Sequence, residues 1–205
     1  MMENVTSAGG ILSAELMADG SFRESWRQAE RCNVTAPGLS AYHKTALAFY
    51  MTWNDTFRGM FDTDTQALGP DASVYMRYFP YKSLHFLLTD ALRILGSGQR
   101  GRCRTVYSLS RVGRPRAIRG SEVRLGYFSV ASTKFLSMFD MTVRTCHGVE
   151  LPPSSCSLGW RKVLVPPFEQ FKVVAVKRKL FYLESTGTRS YLNCAFYRQS
   201  MDPQP

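Results

Sequence analysis

The pattern of apolar and polar positions divides the chain into two halves. In the first half, three segments repeat apolar residues at helical spacing: SFRESWRQAERC, SAYHKTALAFYMTWNDTFRGMF and YKSLHFLLTDALRIL. Phe22 and Trp26, for example, are four residues apart, which places both rings on one face of a helix. These spacings predict amphipathic helices that pack on a core, the first of them capped near Ser21.

From Thr105 onward the pattern changes to short apolar runs separated by Gly, Pro and Ser. The runs TVYSL, EVRLGYFSV, MTVRTCHGVEL, KVLVPPFEQFKVVAVKRKLFYLES and RSYLNCAFY are typical of strands. Helices followed by strands predict an α+β fold. We predict one domain over residues 1–205, with residues 1–12 disordered, a mainly helical part over 13–100, a β-core over 101–198 and a tail over 199–205.

The charge balance is basic, since 26 Lys and Arg residues face 16 Asp and Glu residues for a net charge of +10. Such a surface favours anionic partners, namely nucleic acid, a sulfated glycan, an anionic lipid or a phosphate-bearing ligand, although a solvated basic surface is the simpler explanation. The chain has no long basic run, no RNA-binding aromatic motif, no paired Cys/His spacing and no glycine-rich phosphate loop, so we predict neither specific nucleic-acid binding nor a metal site. No segment reaches the ~18 apolar residues of a membrane span.

The residues alone leave the cellular compartment open. None of the five cysteines lies in a CxxC pair. Asn4, Asn33 and Asn54 begin Asn-x-Thr triplets that could accept glycans in a secreted protein, although such triplets also occur by chance. The first 20 residues contain neither the basic nor the apolar region of an export signal.

Several segments together carry a resemblance to a known family. YKSLHFLLTDAL, RGRCRTVY, SEVRLGYFS, RTCHGVEL and KVLVPPFEQFKV follow one another as in the vertebrate arginine-specific ecto-ADP-ribosyltransferases, and the likeness runs from about Ser13 to Cys194. The resemblance implies a monomeric, secreted or surface-bound transferase with an NAD or NADP cleft between the helical part and a split β-core. Its family transfers ADP-ribose from NAD to protein arginine and releases nicotinamide.

The family reaction requires particular residues. A transition state with oxocarbenium character needs a nearby carboxylate, and a second carboxylate orients or deprotonates the guanidinium acceptor. An arginine can hold the pyrophosphate with its planar fork. Active members accordingly carry Arg-Gly after the first core strand, Ser-x-Ser on the second and Glu-x-Glu before the VLIPP strand.

When the family motifs are matched to this sequence residue by residue, the first two are incomplete. Ser108 and Leu109 stand where the resemblance expects Arg-Gly, so the pyrophosphate loses its clamp. Val130 and Ser132 stand where it expects the two serines, so one hydroxyl is missing. Phe128, expected beside the nicotinamide, is present. We therefore expect only vestigial NAD contacts, from Phe128 and Ser132.

The third motif is reversed in charge. Trp160 and Lys162 occupy the positions of the two glutamates, and we expect Trp160 to pack where nicotinamide would lie. Two hypotheses from different classes follow. The chain is either an NAD-dependent arginine ADP-ribosyltransferase with low or absent activity, or a non-catalytic pseudoenzyme that binds a protein or an anionic glycan through its basic face.

Other candidate catalytic residues match the family motifs less well. Arg119-Gly120 with Glu122 could replace the motif in a shifted register, but RGRCRTVY fixes the first strand at Val106. Glu150 and Glu169 are further carboxylates, of which we expect Glu169 to be structural. We expect the three histidines to be helix or turn residues: His43, His85 and His147.

The resemblance also implies disulfide bonds, in particular between Cys103 and Cys146. Cys194 matches a cysteine whose usual partner lies upstream of this sequence, for which Cys32 could substitute, and we expect Cys156 to be free. Together with the missing export signal, the missing cysteine leads us to expect an N-terminally truncated gene model, an isoform that lacks its first exon, or a decaying duplicate.

Overall fold

A computed structural model describes residues 2–52, 55–99, 102–110, 118–156, 161–178, 180–190 and 192. The described residues form a helical half followed by a sheet, which confirms the predicted α+β fold. None of the described helices is long and apolar enough to cross a bilayer. The helices are α1 (Met2–Thr6), α2 (Ile11–Ala18), α3 (Gly20–Glu30), α4 (Ala41–Thr52), α5 (Asp55–Leu68), α6 (Ala72–Tyr78) and α7 (Lys82–Gly96), followed by a 3-10 turn at Ser97–Gln99.

The N-terminal residues differ from the prediction of disorder over 1–12. α1 covers Met2–Thr6, and its Val5 side chain is buried at 1% exposure. The first amphipathic helix also begins earlier than the predicted cap at Ser21. Asp19 is its cap, because the Asp19 carboxylate accepts a hydrogen bond from the Phe22 backbone N–H at 3.0 Å.

The strands form one sheet in the order β2-β7-β8-β4-β1-β3-β6-β5. All neighbouring pairs are antiparallel except β4 and β8. The run EVRLGYFSV forms two strands rather than one, because the chain turns at Gly126 with a φ of +75°. The strands are β1 (Arg104–Ser108), β2 (Glu122–Arg124), β3 (Ser129–Ser132), β4 (Met141–Thr145), β5 (Val149–Glu150), β6 (Lys162–Val165), β7 (Glu169–Lys177) and β8 (Leu180–Thr188).

Two apolar clusters lie on opposite faces of the central strands. The helix–sheet core joins the helices to one face and includes Phe22, Phe61, Leu88, Phe128 and Leu164. The inner sheet core is enclosed by strands from both ends of the sheet and includes Val106, Ala131, Met141, Val163 and Phe171. Because successive side chains of a strand point to opposite faces, the residue's position in its strand decides which core it enters.

Two disulfide bonds join described cysteines. Cys103 and Cys146, the pair implied by the resemblance, are bonded with their Cα atoms 3.9 Å apart. The expectation that Cys156 is free is wrong, since it is bonded to Cys32 with a Cα separation of 5.4 Å. Cys194 lies outside the described residues. The second bond could not be read from the resemblance, because the two cysteines are 124 residues apart and the family offered no counterpart for Cys156.

Glu15 connects α2 to the start of α7. Its carboxylate accepts hydrogen bonds from the backbone N–H of Lys82 at 2.7 Å and of Ser83 at 3.2 Å, and from the Ser83 hydroxyl. These donors are the unsatisfied N–H groups of a helix N-terminus. Burial nevertheless raises the pKa of the Glu15 carboxyl to about 7, because the hydrogen bonds and the nearby Lys82 ammonium only partly offset desolvation.

This carboxyl should make stability depend on pH. The folded chain keeps the Glu15 proton up to about pH 7, whereas the unfolded chain releases it near pH 4.5. The stability that protonated Glu15 contributes is therefore fully present below pH 4.5 and is lost as the pH rises through 7. We expect the free energy of unfolding to fall by up to about 3 kcal/mol across this window, relative to Glu15→Gln. Urea unfolding at pH values on either side of the window measures it.

The matched control for this prediction is Glu24→Gln, which changes an exposed carboxylate on α3. The difference in free energy of unfolding between Glu24→Gln and the native chain should stay the same across this pH window. A Glu15→Gln variant whose stability keeps a constant offset from the native chain across the window would contradict the assignment.

Candidate functional site

Three neighbouring strands bring Tyr107, Ser132 and Lys162 into one row. Tyr107 of β1 lies directly opposite Ser132 of β3, and Ser132 lies directly opposite Lys162 of β6. Residues directly opposite each other in antiparallel strands share a face. The Ser132 hydroxyl and the Lys162 ammonium therefore lie on the same side of the sheet, where the Ser132 oxygen accepts a hydrogen bond from the Lys134 N–H at 2.9 Å.

Val130 lies on this same face, two residues before Ser132. It is opposite Leu164, and its side chain packs against the helix–sheet core. The position at which the resemblance expects a serine hydroxyl thus contributes methyl groups to helix packing. The strand pairing thus brings Val130 and Lys162 to one face of the sheet.

Ser108 does not join them. It lies opposite Ala131 of β3 and Met141 of β4, both of which belong to the inner sheet core. Its side chain is fully buried, and its hydroxyl oxygen has no hydrogen-bond partner among the residues that the structure describes. Ser108 therefore points away from the face that carries Val130, Ser132 and Lys162.

Lys162 gives this face a positive charge. It is half-buried at the start of β6. Burial lowers the pKa of the Lys162 ammonium, and the Arg58 guanidinium on α5 lowers that pKa further. A neighbouring cation has this effect because it disfavours the charged form of the ammonium. Two cationic side chains thus act on the position where the family reaction requires a carboxylate.

Glu150, on the strand next to Lys162, is engaged in ion pairs. Glu150 lies opposite Val163, the residue after Lys162. Its two oxygens lie 3.5 Å from an Arg104 nitrogen and 3.3 Å from an Arg161 nitrogen. Trp160, predicted to fill the nicotinamide position, lies outside the described residues.

Phe128 is present where the resemblance expects it, but its ring is inside the helix–sheet core at 0% exposure. It stacks on Phe61 with ring centroids 6.1 Å apart, and Tyr50 and His85 contact it edge-on. The Tyr50 hydroxyl contacts the Phe128 carbonyl oxygen and lies 2.9 Å from Asp62. In this structure the ring offers no exposed surface to a ligand.

His85 and His43 have structural partners. His85 is buried 3.2 Å from the Tyr75 hydroxyl, and burial lowers its pKa to about 4, so the ring is neutral near pH 7. His43 lies 2.9 Å from the Ser40 hydroxyl and 3.1 Å from Asp90. Sequence reasoning missed this Ser40 contact. Because Ser40 directly precedes α4 and also accepts a hydrogen bond from the His43 backbone N–H, the arrangement is a helix cap.

Glu169 has the structural role expected of it. The side chain is fully buried and accepts hydrogen bonds from the Thr145 hydroxyl at 2.5 Å, the Cys146 N–H at 2.8 Å and the His147 N–H at 3.2 Å. It thereby fixes the turn after β4 that carries the Cys103–Cys146 bond. Its oxygens are used within the fold.

The shifted-register alternative is also inconsistent with the topology. Glu122 lies on β2 at one end of the sheet order, and five strands separate β2 from β6. Glu122 is opposite Lys172 on an exposed part of the sheet. Among the described residues, no group of three His, Cys, Asp or Glu side chains is arranged to hold a metal ion.

The family model for NAD:arginine ADP-ribosyltransferases matches residues 12–187. This chain belongs to that family. It is 31% identical to the erythroblast NAD(P)(+)–arginine ADP-ribosyltransferase of Gallus gallus, over 89% of this chain and 66% of that protein. It is 35% identical to the GPI-linked NAD(P)(+)–arginine ADP-ribosyltransferase 1 of Oryctolagus cuniculus, over 79% of this chain and 53% of that protein. The chain thus spans between half and two thirds of the length of these relatives.

Solved structures agree with the fold. The mono-ADP-ribosyltransferase ART2.2, crystallised as a mutant in complex with NAD, superposes with a TM-score of 0.67 at 22% identity, over 88% of this chain and 85% of that chain. The same enzyme in another crystal form gives 0.64 at 20% identity, with the same shares covered. At this identity the likeness concerns the fold alone.

The family co-substrate is NAD, and the described residues differ from those that the resemblance expects around it. The Ser108 hydroxyl is enclosed in the inner sheet core, the Phe128 ring is covered by the helices, and the Lys162 ammonium lies where a carboxylate is needed. Strand register was the information that the sequence lacked, because it decides which side chains share a face.

Proposed function

We propose that this chain is a member of the NAD:arginine ADP-ribosyltransferase family that no longer carries out the transfer. The observation that carries the proposal is the face formed by Tyr107, Ser132 and Lys162, on which an ammonium stands at the carboxylate position. The Arg58 guanidinium adds to the positive potential there, since it lowers the pKa of the Lys162 ammonium beyond the larger effect of burial.

The chemistry explains why this face opposes the reaction. Positive charge develops on the ribose as nicotinamide leaves, and fixed negative charge or dipoles must stabilise it. Lys162 and Arg58 would instead repel that charge. Protonated arginine, the acceptor, would also be repelled as it approached. Both the transition state at the ribose and the arginine acceptor are thus disfavoured at the reacting centre.

Titration with NAD tests the proposal. We expect no saturable heat of binding for the native chain up to millimolar NAD, under conditions in which the Gallus gallus relative binds. Circular dichroism and a single cooperative melting transition would show that the chain used is folded. Saturable binding in the micromolar range would contradict the expected loss of the co-substrate cleft, and the loss of transfer would then rest on the labelling experiment alone.

We propose an extracellular location for the mature protein. GPI-linked relatives and the two disulfide bonds among the described residues support it, since disulfides persist in oxidising compartments. We further propose that the protein is monomeric.

A second candidate function is binding of an acidic protein or a sulfated glycan. A cavity of about 540 Å³ at the β2 end of the sheet supports it, because its lining includes Arg124 and Arg189 beside Gln66 and Gln170. Guanidinium groups bind sulfate and carboxylate oxygens through paired N–H donors. Glu122 also lines the cavity, so the net charge there is small.

Heparin affinity tests this second candidate. We expect Arg189→Gln to elute from immobilised heparin at lower salt than the native chain. Arg23→Gln, which removes an exposed arginine on α3, is the matched control and should shift elution less. Equal shifts for both variants would show that only the net charge matters and would contradict a site at the cavity.

A further inference from the structure

The Asn33-Val34-Thr35 triplet has a local structure unlike that of the triplet at Asn4. The segment is not helical, and Val34 forms an isolated β-bridge with Ser154. Val34 is buried at 3% exposure, whereas Asn33 and Thr35 are exposed. In extended backbone, residues two apart point to the same side. The Asn33 amide and the Thr35 hydroxyl therefore both face solvent from one side of the segment.

The backbone of this segment is held in place while its polar side chains are not used. The Asn33 N–H donates to the Ser155 hydroxyl at 2.9 Å, the Ser155 N–H donates to the Asn33 carbonyl at 3.0 Å, and the Thr35 N–H donates to the Pro153 carbonyl at 3.1 Å. Within the described ranges, neither the Asn33 amide group nor the Thr35 hydroxyl makes a hydrogen bond.

The other triplets lack these properties. Asn4 and Thr6 lie two apart on α1, where helical geometry directs them to different sides. The Thr6 hydroxyl also donates to the Met2 carbonyl at 3.0 Å. Asn54 lies outside the described residues. Among the triplets that the structure describes, the one at Asn33 is thus better suited to present both polar groups together.

We propose that Asn33 carries an N-linked glycan. The Asn33 side-chain nitrogen attacks the anomeric carbon of a lipid-linked oligosaccharide, a C–N bond forms, and the bond from that carbon to the lipid pyrophosphate breaks. The lipid pyrophosphate leaves with the electron pair, and the amide nitrogen releases one proton to a base. The proposal rests on the extracellular location proposed above, because the lipid-linked donor belongs to the secretory pathway.

The position of the neighbouring disulfide in the sequence bears on whether the glycan is added before or after that bond closes. Cys32 precedes Asn33 directly, and its partner Cys156 follows 124 residues later. At a synthesis rate of about 5–20 residues per second, the triplet is available for roughly ten seconds before Cys156 exists. Glycan transfer therefore precedes closure of the disulfide. After folding, the glycan lies beside the residues 153–155 that lead towards β6.

The test is expression of the chain in mammalian cells behind a cleavable secretion signal, followed by treatment with peptide N-glycosidase. We expect the loss of apparent mass for the native chain and for Thr35→Ser to exceed that for Asn33→Gln and Thr35→Ala by one glycan. Asn4→Gln is the matched control and should keep the mass loss of a glycan at Asn33. Mass spectrometry of the native chain should find Asn33 converted to Asp by the enzyme.

The mass measurement on the native chain does not depend on whether a variant folds. A native chain with unmodified Asn33, or an Asn33→Gln variant that keeps the full mass loss, overturns the inference. The proposed location fails in a different way. The protein in the cells that naturally express it would then be found unglycosylated in the cytosol, while chain made with the added signal still carries the glycan at Asn33.

Discussion

The native chain should leave an arginine-rich acceptor unlabelled when it is incubated with labelled NAD under conditions in which the Gallus gallus relative labels it. Removal of a single group that stabilises transition-state charge costs about 10²–10³ in rate. Here the Lys162 ammonium stands where the resemblance expects a carboxylate, so the charge is opposite. The Arg58 guanidinium adds further positive charge near it. We therefore expect a rate at least about 10³-fold below that of the relative, measured as label incorporated per minute.

Reversion experiments sharpen this prediction. Groups that act on one transition state are strongly non-additive, so Lys162→Glu alone should not restore labelling. The variant that restores all family residues should be needed, with the changes Ser108→Arg, Leu109→Gly, Val130→Ser, Trp160→Glu and Lys162→Glu. Lys134→Glu, the same charge change at an exposed lysine, is the control for Lys162→Glu. Robust labelling by the native chain would refute the loss of function.

The regular features of the fold were predictable from the sequence because they depend on local periodicity. Phe22 and Trp26 are buried with ring centroids 6.0 Å apart, as their four-residue spacing predicts. The leucine stripe of YKSLHFLLTDALRIL gives α7, whose Leu84, Leu87 and Leu88 are fully buried. Such stripes indicate both the helix and the face it buries.

The sheet face to which each side chain of the candidate site points was not predictable in the same way. Order along the chain places Ser108, Val130 and Lys162 on neighbouring strands, but a shift of one residue in register moves a side chain to the other face. The pairing of Ser108 with Ala131, and of Ser132 with Lys162, separates the first position from the other two. The burial of Phe128 likewise depends on α5, which no strand motif describes.

Substitution of Ser108 should give the largest change in stability. Its hydroxyl is buried among apolar residues without a hydrogen-bond partner in the described chain, and such a group costs about 1–3 kcal/mol. Ser108→Ala should therefore unfold at equal or higher urea concentration than the native chain. Ser108→Arg would bury a guanidinium against Ala131 and Met141 and should cost roughly 3–5 kcal/mol, since an unpaired buried charge is strongly destabilising.

Urea unfolding at neutral pH with the disulfide bonds intact measures both variants. Thr186→Arg on β8 is the matched control, because it adds the same guanidinium at an exposed strand position and should change stability by less than about 0.5 kcal/mol. If Ser108→Arg is as stable as this control while Ser108→Ala is destabilised, the hydroxyl is engaged and the side chain faces the row of Tyr107, Ser132 and Lys162. An arginine at position 108 would then reach the cleft. The five-fold variant would in that case regain an arginine that can hold the pyrophosphate.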